Sequence, residues 1–275
     1  MLARFSELLR QARSSGSAVG AFTCYNLETA AGVLQAAEAR RCGVILLVSE
    51  KSFLAPGGPL LLSALVAAAA HSDAPACVQL DHVRELRPIA AVFELGAGAA
   101  MADGSRLALE ANAAFVRAAA RGGEVEAELG GIDGDEDVAT AVVAGELTDP
   151  EEAAWLADRS QAACLAVSIG NAHGIYRKPP ALDWARLEEI RRHVSIPLSL
   201  HGASGLPADD LRRAIDLGVS KINVNTELRV CYLDVTAERV GEVRDGARVL
   251  ELNLAQAEAV SAVVASKLEV YDARG

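Results

Sequence analysis

Three of the five histidines follow apolar, strand-like runs, and their residue type and placement could build a metal site. They are His82, which comes directly after Asp81, and His173 and His201, each of which is followed by a glycine. Neutral imidazoles carried to one rim by three different strands could bind a metal ion and leave one coordination position open. Asp81 would add a proton-transferring carboxyl to the same pocket. This pattern indicates an enzyme.

The elements that must position these residues alternate regularly between strand and helix from about residue 19 to residue 226. The predicted strands are Val19–Phe22, Val44–Val48, Ala76–Leu80, Ala99–Ala102, Val125–Leu129, Leu165–Ile169, Pro197–Leu200 and Ile222–Val224. The predicted helices between them include Glu28–Arg41, Arg84–Leu95, Leu107–Arg121, Pro150–Gln161, Asp183–His193 and Pro207–Leu217. Eight strands, each followed by a helix, favour an α/β fold of the closed (β/α)₈ (TIM) barrel type.

The same pattern predicts one barrel domain over residues 1–275, with a short amphipathic helix at the N-terminus and a C-terminal helical extension. An open doubly wound sheet would carry a glycine-rich turn after its first strand, where this chain has Cys24-Tyr25-Asn26. Within a regular strand Asp81 and His82 would point to opposite faces, so we expect the chain to leave the sheet at this pair.

Composition narrows the class of partner. The chain has 275 residues, of which 51% are hydrophobic, and its formal net charge of -11 disfavours nucleic-acid and anionic-membrane surfaces. The five cysteines are scattered, without a Cys-x-x-Cys pair, which is typical of reduced thiols in a cytoplasmic protein. The longest apolar stretch, residues 59–70, is too short to span a bilayer. We therefore expect a cytoplasmic protein with a small-molecule substrate.

Polar residues follow every predicted strand, at the end where the strands of a barrel converge on the catalytic face. In strand order they are Asn26, Ser49, Asp81 with His82, Asp103, Glu128, His173, His201, and the group Asn223, Asn225 and Thr226. The long connection from Gly130 to about Thr148 is rich in glycine and acidic residues. It is predicted to be a mobile active-site loop.

Six segments, in order, resemble the class II, metal-dependent fructose-bisphosphate and tagatose-bisphosphate aldolase family over nearly the whole chain. They are Ala21-Phe22 with Asn26-Leu27-Glu28-Thr29, Leu80-Asp81-His82, and residues 125–130, 169–174, 200–205 and 221–226. The resemblance implies aldol cleavage of a ketose 1,6-bisphosphate, in the first place fructose 1,6-bisphosphate, to dihydroxyacetone phosphate and an aldehyde such as glyceraldehyde 3-phosphate. Tagatose bisphosphate and deoxy sugar-acid phosphates are alternative substrates. Homodimers or homotetramers are expected.

The resemblance also assigns roles to individual residues. It implies that His82, His173 and His201 hold one catalytic Zn²⁺, and that Asp81 is the acid/base at the C4 hydroxyl of the ketose. Glu128 and Asp103 match acidic residues near the metal, as outer groups or an alternative ion site, although both could be structural anchors.

The remaining assignments concern the loop and the phosphate. Glu136 matches a loop glutamate that exchanges the C3 proton of dihydroxyacetone phosphate. A phosphate cradle, with Na⁺ or K⁺ beside it, would comprise Gly174, Gly202, Ser204, Asn223, Asn225 and Thr226. Asn26 and Ser49 are further substrate-binding candidates, but polar residues after strands often only cap the next helix.

The chemistry fits these assignments. Cleavage of the C3–C4 bond leaves a carbanion that is tolerable only if its charge moves onto the C2 oxygen, and Zn²⁺ is a Lewis acid suited to this task. The loops after strands seven and eight are where a barrel binds phosphate, and they supply glycine, serine, asparagine and threonine.

Three rival functions remain open at this point. A Schiff-base aldolase needs a lysine in the barrel mouth; of the four lysines, none lies in the sixth strand, and Lys221 is predicted at the N-terminal end of the eighth, away from the catalytic face. A sugar-phosphate epimerase or isomerase would use similar chemistry without releasing an aldehyde. A non-catalytic relative would have lost ligands that this chain retains. Arg106 stands where the family often has histidine, which would alter the pocket for the aldehyde.

Overall fold

The protein folds as a closed barrel of eight parallel strands, which confirms the predicted fold. A computed structural model describes residues 1–131, 145–174, 176 and 180–272. The strands are β1 Val19–Thr23, β2 Val44–Ser49, β3 Ala76–Val83, β4 Ala99–Ala102, β5 Glu124–Leu129, β6 Cys164–Val167, β7 Leu198–Leu200 and β8 Val219–Val224. They pair in sequence order, and β8 returns to pair with β1.

Helices connect the strands and cover the outside of the barrel. They are α1 Phe5–Ser15, α2 Leu27–Arg40, α3 Glu50–Leu54, α4 Gly58–His71, α5 Leu86–Glu94, α6 Leu109–Ala119, α7 Pro150–Ser160, α8 Trp184–His193, α9 Ala208–Asp216, α10 Thr226–Arg239 and α11 Val249–Tyr271. A short 3₁₀ turn, Val240–Glu242, lies between the last two. The predicted connecting helices are confirmed to within two residues at each end.

Alternation along each strand separates the residues that face the barrel interior from those that face the helices. Ile45 and Leu47 of β2 belong to an inner cluster with Phe5 and Leu9 of α1, so that α1 seals the N-terminal end of the barrel. Leu46 belongs to the outer cluster, between the strands and the helices. Because both faces are covered, β2 reads as an uninterrupted apolar run.

Strand β3 contains the irregularity that the Asp81–His82 pair requires. The chain stays in the sheet beyond this pair, contrary to the prediction that it leaves there. Leu80 pairs with Ala100 and Val83 with Ala102, so β3 has one residue more than β4 over this interval. His82 lies at this irregularity, and its φ of 52° is a left-handed conformation that is uncommon for a residue with a side chain. Asp81 and His82 are thereby both delivered to the barrel mouth.

Helix α11 packs closely against α2. A Cβ atom at Gly32 of α2 would lie 2.4 Å from the carbonyl oxygen of Ala257, so only glycine permits this approach. Val260, Val264 and Leu268 form the buried stripe of α11. By length and composition alone α11 is the one helix in the described part of the chain that could cross a membrane, and here its apolar stripe faces α2 and the barrel.

Candidate active site

Three imidazoles meet at the C-terminal mouth of the barrel. Nε2 of His82 lies 3.0 Å from Nδ1 of His201, and the ring centres of His82 and His173 are 4.9 Å apart. One nitrogen from each ring lies within 4.8 Å of the others, a spacing that could hold one metal ion. Burial lowers the pKa of both His173 and His201. Their rings are therefore neutral near pH 7, which is the form that binds a metal.

The second nitrogen of His201 is fixed by a buried carboxylate. Its Nε2 lies 3.0 Å from Oε1 of Glu126, and both side chains are fully buried. Because a carboxylate only accepts, His201 donates from Nε2 and directs the lone pair of Nδ1 toward the other imidazoles. A carboxylate behind the ligand is the usual way in which a metal-binding histidine is oriented.

Glu126 is in turn paired with a lysine inside the barrel. Nζ of Lys221 lies 2.8 Å from Oε2 of Glu126, and Nε2 of Gln79 donates to the same oxygen over 2.7 Å. Burial alone would raise the pKa of Glu126, but Lys221 and His201 hold that pKa well below its usual value. Burial alone would lower the pKa of Lys221, but Glu126 and Asp81 keep that pKa above its usual value. The pair is ionised.

Sequence reasoning missed Glu126 and misplaced Lys221. The prediction put Lys221 away from the catalytic face, whereas its ammonium group reaches the carboxylate beneath His201 and donates to Oδ1 of Asn223 over 2.6 Å. The signal that could have found both residues is the period of two along a strand. Glu126 precedes Glu128 by two positions and Lys221 precedes Asn223 by two, so each shares the inward face of its neighbour.

Asp81 lies in the interior beside the imidazoles. Its Oδ2 accepts a hydrogen bond from Nδ2 of Asn223 over 3.1 Å, and Asn223 also lies 3.3 Å from Nδ1 of His201. The other carboxylate oxygen, Oδ1, is buried without a hydrogen-bond partner among the described residues. A buried acceptor with unused capacity at the barrel mouth is suited to exchanging a proton with a bound molecule.

Glu128 and Asp103 lie on the other side of His82. Their carboxylate oxygens are 3.5 Å and 3.7 Å from Nδ1 of His82, which is not the nitrogen that faces His201. Burial raises the pKa of Glu128 to about 8. Burial acts on Asp103 in the same direction, but His82, Ser105 and Arg84 hold the pKa of Asp103 well below its usual value. Near pH 7 the two acids therefore differ in charge.

The predicted phosphate residues surround one small cavity beside the imidazoles. Its lining comprises His173, Gly174, Gly202, Ser204, Asn223, Asn225 and Thr226. A Cβ atom at Gly202 would lie 2.2 Å from the carbonyl oxygen of Ala172, and its φ is 62°. Glycine thus permits two loops to approach each other closely. Helix α10 begins at Thr226, and a helix N-terminus favours an anion.

Two predicted substrate-binding residues, Asn26 and Ser49, do not line this cavity. Asn26 caps α2 by accepting from the backbone N–H of Thr29 over 2.9 Å, and Ser49 caps α3 by accepting from Ser52 over 3.2 Å. The capping alternative thus describes both side chains, and substrate binding by them stays a prediction. Glu136 lies in residues 132–144, outside the described residues.

Comparison with known proteins settles the family. The family profile described as "Fructose-bisphosphate aldolase class-II" matches residues 3–275. The chain belongs to the class II fructose-bisphosphate aldolase family. It is therefore an aldolase, a carbon–carbon lyase, of a family that is generally metal-dependent, and its three-imidazole cluster suits that dependence.

Individual relatives extend this result. The chain is 38% identical to the sulfofructosephosphate aldolase of Alkalicoccus urumqiensis over 233 residues. The alignment covers 82% of the present chain and 81% of the relative. The YdjI aldolase of Escherichia coli K12 superposes with a TM-score of 0.87 at 29% identity, covering 100% and 99% of the two chains. A candidate fructose-1,6-bisphosphate aldolase of Coccidioides immitis superposes with a TM-score of 0.90 at 29% identity, covering 99% and 97%.

Proposed function

We propose that this class II aldolase reversibly cleaves the C3–C4 bond of a ketose 1-phosphate whose far end carries an anionic group, and releases dihydroxyacetone phosphate. One observation carries the proposal: the imidazole cluster and the glycine-lined cavity share His173. A phosphate in that cavity would place the adjacent carbons of a ketose at the cluster.

Zn²⁺ is the proposed metal, and His82, His173 and His201 are the residues that would hold it. Three imidazoles, two of them with a lowered pKa and one fixed by a carboxylate, match the donor set of a catalytic zinc site with an open position. When bound there, Zn²⁺ would withdraw electron density from the ketone, so that the neighbouring bond can break without covalent attachment to the protein.

Asp81 is the proposed acid/base at the C4 hydroxyl. The hydrogen bond from Asn223 holds its Oδ2 and leaves Oδ1 to take up the proton. Glu136 is proposed to exchange the C3 proton. Na⁺ or K⁺ is proposed to accompany the C1 phosphate in the cavity.

Lys221 supports this metal-dependent route over a Schiff base. An attacking amine must be neutral, whereas Lys221 is held as an ammonium by Glu126, and its pKa lies above the usual value. Its Nζ is committed to Glu126 and Asn223, which leaves it poorly placed to attack a carbonyl.

Two ketose phosphates are candidate substrates. Fructose 1,6-bisphosphate is the one that the sequence resemblance implies. The relative from Alkalicoccus urumqiensis is named for a phosphorylated ketose that carries a sulfo group, and this favours sulfofructose phosphate as the second. Both would give dihydroxyacetone phosphate, and they differ in the aldehyde that leaves.

The test is a coupled assay for dihydroxyacetone phosphate with the purified protein. Chelation should abolish cleavage and Zn²⁺ should restore it. His201→Ala should lower zinc content and activity together, whereas His193→Ala, at an exposed helix end where its ring contacts the carbonyl of Glu189, should change neither. Cleavage that survives exhaustive chelation would contradict the metal assignment. Conversion of the ketose to an isomer without triose phosphate would indicate an epimerase or isomerase.

A further inference from the structure

A second depression at the barrel mouth lies on the side away from the phosphate cavity. It is a groove of about 910 Å³ between the start of α3 and α4 and the start of α5. Phe53 and Leu54 line one wall, and Arg84 and Arg87 line the other. In the closed ring of eight strands β3 is opposite β7. The groove after β2 and β3 is therefore across the mouth from the cavity after β7 and β8.

Arg84 connects this groove to the imidazole cluster. Its Nε lies 3.0 Å from Oδ2 of Asp103, and the same oxygen is 3.7 Å from Nδ1 of His82. The ion pair uses only Nε, and half of the side-chain surface is exposed. Asp103 is buried and fixed by Ser105, so it holds the guanidinium in place at the edge of the groove.

We infer that this groove binds the anionic far end of the ketose, with Arg84 as its principal ligand; this inference rests on the proposed function. A substrate with its C1 phosphate in the cavity and its C2 and C3 oxygens at the imidazoles must continue across the mouth toward β3. Because Asp103 and Arg84 lie on the Nδ1 side of His82, the last three carbons of the substrate would pass around the edge of that ring to reach the guanidinium. A guanidinium is the side chain best matched to the oxygens of a phosphate or a sulfonate, because its planar donors form paired hydrogen bonds.

The charges around the groove bear on which anion it takes. Glu50 and Glu85 line it together with Arg84 and Arg87, so the four side chains are formally neutral as a set. Binding must then come from direct contact with the guanidinium rather than from a broad positive field. A sulfonate carries one charge, whereas a phosphate monoester carries about -1.5 to -2 near pH 7. A neutral set of side chains does not by itself discriminate between these anions, so any preference must come from the geometry of the contact with Arg84.

The experiment compares three substrates that differ only at C6. Fructose 1-phosphate has a neutral hydroxyl there, fructose 1,6-bisphosphate has a phosphate, and 6-deoxy-6-sulfofructose 1-phosphate has a sulfonate. In the zinc-loaded enzyme Arg84→Met should lower kcat/KM for at least one anionic substrate by about ten- to a hundredfold, chiefly by raising KM. Cleavage of fructose 1-phosphate should change by less than about threefold.

Controls separate binding from disturbance of Asp103. Arg84→Met removes the partner of Asp103 whichever substrate is used, so damage to the cluster would lower all three rates equally. Arg84→Lys keeps the charge without the paired donors and should fall between Met and the natural residue. Arg10→Met, on α1 at the sealed end of the barrel, should leave all three rates unchanged. The anionic substrate that suffers the larger loss identifies the group that Arg84 binds.

The experiment distinguishes failure of the role proposed for Arg84 from failure of the proposed function. Equal losses for the three substrates, or no loss for any, would overturn the role of Arg84 while cleavage itself upholds the proposed function. Absence of dihydroxyacetone phosphate from every substrate with the natural enzyme would overturn both.

Discussion

The ammonium nitrogen of Lys221 lies 2.8 Å from Oε2 of Glu126, and neither side chain reaches solvent. A buried ion pair gains little over an apolar pair of the same size, because desolvation offsets the attraction between the charges. The second oxygen of Glu126 accepts from His201. The pair therefore contributes most by fixing the tautomer and the direction of His201, a proposed metal ligand.

Removing one partner of this pair should cost more than removing both. Glu126→Gln and Lys221→Met should each lower the free energy of unfolding by about 3–5 kcal/mol, because each leaves a buried group without its counter-charge. The double variant should lose less than either single variant, because it leaves no buried charge without a partner. Urea unfolding of the metal-free natural protein, the two single variants and the double variant measures this double-mutant cycle. Strictly additive losses would contradict an interaction between Glu126 and Lys221.

Acid should reduce the difference between the natural protein and Glu126→Gln. The pKa of Glu126 is held below its ordinary value of 4.5. Its ionised form therefore contributes stability that is present above about pH 4.5 and is lost as the pH falls toward the folded-state pKa. Unfolding midpoints at pH 7 and pH 3.5 test this, and a difference that stays constant would contradict a folded-state pKa below 4.5.

Asp81→Asn should reduce turnover without releasing the metal. The amide keeps the shape of the side chain but cannot take up a proton, so kcat should fall by about 10²- to 10⁴-fold. Zinc content should stay at the level of the natural enzyme if the metal lies among His82, His173 and His201 as proposed, and not in the alternative group of Asp81, Glu126 and His201. Steady-state kinetics and metal analysis of the same samples decide this. Parallel loss of zinc and activity would make Asp81 a structural residue.

Gly202→Ala should weaken phosphate binding beyond any effect of backbone strain. The added Cβ would lie 2.2 Å from the carbonyl oxygen of Ala172, which must move and open the cavity. Gly16 has a similar φ, 68°, but nothing within 4 Å of its Cβ position. Gly16→Ala thus reports strain alone, about 1–2 kcal/mol. KM for the ketose phosphate should rise at least about tenfold in the Gly202 variant only, and equal KM values in both variants would refute the close-approach argument.

Metal binding should release a proton from Glu128. Burial raises its pKa to about 8, so the metal-free protein holds this carboxyl protonated at pH 7. A cation at the cluster would favour the ionised form, and zinc binding at pH 7 should release about one proton more from the natural protein than from Glu128→Gln. The excess should disappear at pH 9. Calorimetry in buffers of different ionisation enthalpy measures it, and identical proton release at pH 7 would contradict the raised pKa.

Prediction from sequence succeeded where side chains obey the ordinary burial rules. The apolar runs of β2 and β4 were placed to within a residue, and the three histidines after β3, β6 and β7 lie together. It fell short where charged residues lie inside the barrel. The predicted β8 began at Ile222, whereas the strand begins at Val219, because Lys221 interrupts the apolar pattern. Its charge is compensated by Glu126, which lies 95 positions away in sequence, and no local pattern reveals such a pairing.

The irregularity in β3 marks a second limit. Asp81 and His82 are adjacent, and both are candidate site residues that must point into the barrel mouth. The sequence therefore indicated that the strand cannot stay regular at this pair. Whether the chain ends there or inserts an extra residue depends on the pairing of Val83 with Ala102 in the next strand. That choice is made by tertiary contact, and the left-handed conformation of His82 follows from it.

The barrel closes where β1 pairs with β8, and α2 and α11 pack together beside this junction. The two strands are far apart in the sequence. Val19 pairs with Lys221, and the carbonyl oxygen of Tyr271 accepts a hydrogen bond from the backbone of Ala18. Closing so long a loop is entropically demanding and slow. A chain that lacked β8 would leave β1 with an unpaired edge, so the ring of strands, and the cavity lined by Asn223 and Thr226, is completed only when β8 pairs with β1.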